Sequence, residues 1–112
     1  MNAPMTLVID ASRVHDWGSF HDECQRVFGF PDFYGRNMDA WIDCMTDLDK
    51  NDGMRSFTLR PGEVLALRID GYLDLKLRQP RIAEAIVECS AFVNFRRIEA
   101  GEPPVIALVF GE

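Results

Sequence analysis

The groups that could do chemistry are concentrated in residues 32–52. Asp32, Asp39, Asp43, Asp47, Asp49 and Asp52 stand there against only Arg36 and Lys50, in a chain of 112 residues with net charge −6. Such carboxylates could bind calcium, hold magnesium for a hydrolase, or meet a basic protein, and each use demands its own spacing. Calcium fails on arithmetic. Asp47-Leu48-Asp49-Lys50-Asn51-Asp52-Gly53 begins like an EF-hand loop, but its glycine comes one place late and Thr58 stands where a bidentate glutamate is needed. Magnesium would recruit Asp39, Asp43 and Asp47, yet no convergent histidine or glycine-rich phosphate loop accompanies them. Cys44 lacks a histidine partner in sequence, since His15 and His21 lie before or on an earlier segment, so a Cys-His nucleophile is disfavoured. No catalytic, metal or cofactor set is expected.

The third use depends on the element that carries the acids. Asn37 is a good N-cap, and the spacing that follows predicts a helix from Met38 to about Leu48, stopped by Lys50-Asn51-Asp52-Gly53. Met38, Trp41, Cys44, Met45 and Leu48 then share an apolar side, which reads as core. Asp39, Asp43 and Thr46 lie opposite, with Asp47 at the edge. Asp39 has a structural explanation, because the first turn of a helix favours negative charge. Asp43 is too far along to gain from that, and one helical turn from Asp39 it is repelled by it. Ile42 borders the acidic side, where amphipathicity alone requires no apolar group. Phe33 and Tyr34, in the irregular segment just upstream, must approach the helix start. Apolar anchors beside unpaired carboxylates suit a surface that steers and binds a basic protein.

The rest of the chain reads as a scaffold for that face. Composition is ordinary globular, 47% apolar and 27% charged, and the length fits one domain, residues 1–112. Strands are expected at Met5–Ile9, Glu63–Ile69 and Val105–Phe110, and helices at about Asp16–Phe28 and from Pro80 to about Ala100. Ser56–Leu59 could be extended, and Tyr72–Arg78 is either a strand or a short helix. Three apolar strands separated by helices predict an α/β fold with a small three-stranded parallel sheet packed with helices. Burial of both sheet faces is the simple reading of such strands, with coverage mainly of one face the alternative. No apolar run approaches a membrane span, and Met1–Asp10 shows no leader pattern. The acidic balance, with a pI near 4.8, argues against direct nucleic-acid binding. Cys24, Cys44 and Cys89 are odd in number and widely spaced, as expected of reduced thiols in the cytoplasm.

The run Phe30-Pro31-Asp32-Phe33-Tyr34-Gly35-Arg36-Asn37-Met38-Asp39-Ala40-Trp41-Ile42-Asp43-Cys44-Met45 closely resembles the barstar family, intracellular inhibitors of guanyl-specific ribonucleases of the barnase type. The resemblance is tight over about residues 28–46 and extends more loosely to the order of elements. It implies occlusion: the loop and helix plug the nuclease active site, and carboxylates occupy ground meant for RNA phosphates. By that resemblance Asp43 is the central carboxylate, Asp39 a second one, and Tyr34 and Asn37 contacts at the loop and helix start. Phe33, Gly35, Met38, Ile42 and Asp47 complete the expected partner-binding set. The expected partner is a basic ribonuclease or related toxin nuclease, bound one-to-one by a monomer.

Four positions depart from the family pattern. Phe33 lacks a tyrosine hydroxyl, Ile42 replaces a contact tryptophan, and Arg36 replaces an acid. Arg97, by alignment of the last helix, stands where another interface carboxylate is expected, and a reversed charge there would repel a basic partner. The chain also has extra residues around 48–62 and before Pro80. A partner other than barnase is thereby favoured. The competing reading is a module that uses the same acidic patch on a basic protein that is not a nuclease.

Overall fold

The computed structural model describes residues 5–112, and the expectation of no leader in Met1–Asp10 falls in part on residues 1–4, outside them. Three strands, β1 (Thr6–Asp10), β2 (Leu65–Asp70) and β3 (Ile106–Gly111), form one parallel sheet in the order β1-β2-β3. After β1 and a single 3-10 turn come α1 (Trp17–Phe28) and α2 (Met38–Thr46); between β2 and β3 come α3 (Tyr72–Arg78) and α4 (Pro80–Glu99). Strands that follow one another across a sheet, joined by crossovers of one hand, carry their helices on a single face. The register agrees. Leu65, Leu67 and Ile69 are buried beside Ile9 and Ile106, whereas Thr6, Arg68, Ala107 and Val109 on the other face are exposed. Burial of both faces is therefore corrected to burial of one.

The helix beginnings follow from local chemistry. Asp16 caps α1 through the Ser19 amide at 2.8 Å, and Ser19 Oγ accepts from the Asp16 amide in return. Gly29 closes α1 in the left-handed region, φ 70°, and a side chain there would run into Ser56. Tyr72–Arg78 resolves as helix: Gly71 turns the chain with φ 79°, and Arg78 reaches back to Asp74 at 2.6 Å and to the Val14 carbonyl at 2.9 Å. The 56–59 segment is not a strand. Two isolated backbone bonds hold it, Ser56 N–H to the Phe28 carbonyl and Leu59 N–H to the Leu48 carbonyl, and Leu59 is buried. The core under the helices runs from Phe20, Cys24 and Phe28 through Trp41, Met45 and Leu48 to Ile86 and Val93. Residues 49–62 add no sheet; they wrap the end of α2.

Candidate protein-binding face

The chain enters α2 through residues 29–37, an irregular segment pinned to α1 by two of its own side chains. Tyr34 tucks inward, its hydroxyl 2.8 Å from His21 Nδ1 and its ring 4.7 Å from that of Phe30. Burial lowers the proton affinity of His21, and the charge of Arg36 lowers it further, so the imidazole is neutral near pH 7. Arg36 is the second pin. It adopts a left-handed backbone, φ 55°, and donates to Gln25 Oε1 and the Gly18 carbonyl while pairing with Asp22 at 2.9 Å. Its charge is thus spent on α1. Asn37 then caps α2, its side-chain oxygen accepting from the Ala40 amide at 2.8 Å.

Along α2, Trp41, Cys44 and Met45 are buried, Met38 and Ile42 are half-buried, and Asp39 and Asp43 are exposed. Trp41 packs edge-on to Phe28, ring centroids 6.5 Å apart, which anchors the helix by its inner side. Asp39, Ile42 and Asp43 come together in a cleft of about 290 Å³ whose other wall is Phe92 and Arg96 of α4. A neighbouring cleft of about 500 Å³ shares Phe92 and Arg96 and is lined also by Thr46, Asp47, Phe95 and Glu102. Phe33, 76% exposed, stands on the loop outside both clefts, and Asn37 and Met38 line a separate hollow with Trp17 and Arg36. Gly35 is exposed backbone. Tyr34 is 4% exposed, so in this structure it supports the loop and offers a partner almost no surface.

The second wall was missed from sequence. Phe92, Phe95 and Arg96 sit on a helix with no motif, and only the three- and four-residue steps from Phe92 hint at a shared exposed side. Asp43, read as unpaired, instead meets the Arg96 guanidinium at 3.2 Å.

The carbonyl end of α2 is closed by two buried arginines. Arg55 donates to the carbonyls of Cys44, Asp47 and Lys50 at 2.6–2.8 Å and to Asp52 Oδ1 at 2.8 Å. Arg97 donates to the Thr46 and Pro103 carbonyls, takes Asp49 with two nitrogens at 2.9 and 3.1 Å, and pairs with Glu102 at 3.0 Å. This corrects the expectation that Arg97 opposes a partner. It is 2% exposed and neutralised within the fold, because the last α2 carbonyl, the Pro103 carbonyl and two carboxylates converge on it. The segment after α2 supplies Asp49, Asp52 and Arg55, so the extra residues there fix where the acidic helix ends.

Burial pushes the Cys24, Cys44 and Cys89 thiols above the usual thiol range, which favours their protonated form. Among the described residues no group of three or more His, Cys, Asp or Glu is placed to hold a metal ion, and no helix is long and apolar enough to cross a membrane.

Comparison with known proteins bears on the whole domain. Over 40 residues the chain is 40% identical to the Bacillus subtilis (strain 168) protein named "Putative ribonuclease inhibitor YrdF", a stretch covering 36% of this chain and 44% of that relative. The matched region thus spans less than half the length of that relative. A family model described as Barstar (barnase inhibitor) matches residues 5–108, from the strand before α1 through the first half of β3, which is most of the sheet and every helix. With its three parallel strands and capped acidic helix, this chain belongs to the barstar family.

Proposed function

We propose that the chain inhibits a guanyl-specific microbial ribonuclease or a related toxin nuclease by occluding its active site with the loop and α2. The observation that carries this reading is the cleft in which exposed Asp39 and Asp43 flank half-buried Ile42 on a helix anchored from behind by Trp41. Exposed carboxylates one turn apart are suited to cations that otherwise bind RNA phosphates, and an apolar group between them gives water something to leave. Phe33, Asn37, Met38 and Asp47 flank the contact, with Gly35 giving close backbone approach and Tyr34 holding the loop's shape. Inhibition of this kind needs no cofactor and no catalytic residue. It would operate inside the cell, with one inhibitor bound to one basic nuclease.

Calorimetric titration against barnase, with Asp43→Ala alongside, tests the reading. The expected result is one-to-one binding that weakens by about 2 kcal/mol or more in the variant, roughly thirtyfold in affinity. Absence of heat from folded wild-type protein would discard barnase as partner. Capture of a basic protein that is not a nuclease, through the same residues, would overturn the inhibitor reading itself.

A further inference from the structure

We propose that Arg96 is an internal counter-ion for Asp43, seated on the central carboxylate in the free protein and displaced by the cation that the partner brings. The inference rests on the inhibitor reading above and specifies what that face selects.

The geometry is that of a detachable contact. One guanidinium nitrogen meets one carboxylate oxygen at 3.2 Å, with the Arg96 side chain 44% and the Asp43 side chain 73% exposed. Its neighbour Arg97 is the opposite case, with two nitrogens on Asp49 and a side chain 1% exposed. Arg96 also lies over the Phe92 ring, 5.9 Å from its centroid, so the cation has a second support when it leaves Asp43. It lines both clefts, and Asp47, Glu99 and Glu102 line the one away from Asp43. A displaced guanidinium therefore has carboxylates to move towards.

The consequence is selectivity. An exposed ion pair is cheap to break, yet while it stands it cancels part of the field that draws a basic surface in. A weakly basic surface meets Asp43 already satisfied. A cationic active site that can engage Asp39 and Asp43 together displaces Arg96 and recovers both charges. Arg36 does not compete, because Asp22, Gln25 and Gly18 hold it on α1, and Lys50 pairs with Asp47 at 3.7 Å.

Stopped-flow association with barnase, at low and high salt, tests this on wild type, Arg96→Gln, Asp43→Asn and the double variant. Arg96→Gln should associate about two- to fivefold faster than wild type at low salt, with the gain shrinking as salt rises. In the Asp43→Asn background the same substitution should give a clearly smaller gain, because only the loss of one positive charge from the surface remains. A slower or unchanged rate in Arg96→Gln, with wild type binding, would overturn the counter-ion role and leave the inhibitor reading intact. An equal gain in the Asp43→Asn background would also overturn it, because Arg96 would then act on the partner directly. Failure of wild type itself to bind would instead discard barnase as partner, and with it the proposal as stated for a barnase-type active site.

Discussion

Arg96 and Arg97 are consecutive on α4, each faces an aspartate of the α2 region, and they could hardly differ more in environment. Arg97 is enclosed: its guanidinium holds Asp49, Glu102 and two carbonyls, and its side chain is 1% exposed. Arg96 is open to solvent and touches Asp43 with a single nitrogen. One residue along a helix is a rotation of about 100°. Here that rotation separates a structural tie from a surface contact that can be exchanged. The same pair of residue types thus fixes the end of the acidic helix at one position and tunes its charge at the next.

The buried member should show the larger effect. Arg97→Ala leaves Asp49 and Glu102 without their cation and the Thr46 and Pro103 carbonyls without their donor. Removing one side of a buried pair costs about 3–5 kcal/mol, a large share of the roughly 5–15 kcal/mol that holds a domain together. Urea unfolding followed by tryptophan fluorescence would measure it, since Trp41 reports on the α2 packing. A loss below about 1 kcal/mol would mean that the enclosed pair is no tighter than the open one, and the contrast would collapse.

The next effect sharpens the comparison through pH. Hydrogen bonds from Arg97 hold the Asp49 carboxyl below its ordinary value of 3.8, overcoming the opposing effect of burial. A carboxyl whose folded pKa is depressed binds fewer protons when folded than when unfolded. Its contribution is therefore complete above about pH 4 and is lost as pH falls through the lower folded value. Asp49→Asn should cost about 1–3 kcal/mol near pH 7, less than Arg97→Ala because Glu102 and both carbonyls still occupy the arginine. It should also flatten the acid limb of the stability curve between about pH 4 and the folded value. Chemical unfolding repeated across that range separates the variants. Parallel acid limbs in wild type and Asp49→Asn would show that the bond to Arg97 carries no differential proton affinity.

Much of this architecture was legible because it is local. Asn37 as a cap, the apolar side of Met38, Trp41, Cys44 and Met45, and the helix-opening Pro80 all act within a turn or two of themselves. Leu48 was read as the last turn of α2, which ends at Thr46, yet Leu48 is buried as that reading required. What escaped was long-range and polar. Arg97 bonds the Thr46 carbonyl across 51 positions and Arg96 meets Asp43 across 53, and no periodicity encodes either contact. An alignment register of a single residue decides which of the two arginines is assigned to the surface, since adjacent helix positions point in different directions. Tyr34, a contact by resemblance, has a long-range polar partner of the same kind: His21, 13 residues earlier, meets its hydroxyl and holds the ring inward.

The smallest expected effect is on the open pair, and it is the one that makes the exchange plausible. Arg96→Gln should change folding stability by no more than about 0.5 kcal/mol, because a solvent-exposed contact through one nitrogen gains little over hydration of both groups. The glutamine keeps much of the aliphatic stem that lies along α4, so packing beside Phe92 is largely retained. Urea unfolding of Arg96→Gln beside wild type, at low and at moderate salt, measures this directly. Near-identical midpoints at both salts are expected. A loss comparable to that of Arg97→Ala would mean that Arg96 ties α4 to α2 as firmly as its neighbour does. A partner's cation could not then displace it at small cost, and Asp43 would be a structural acid.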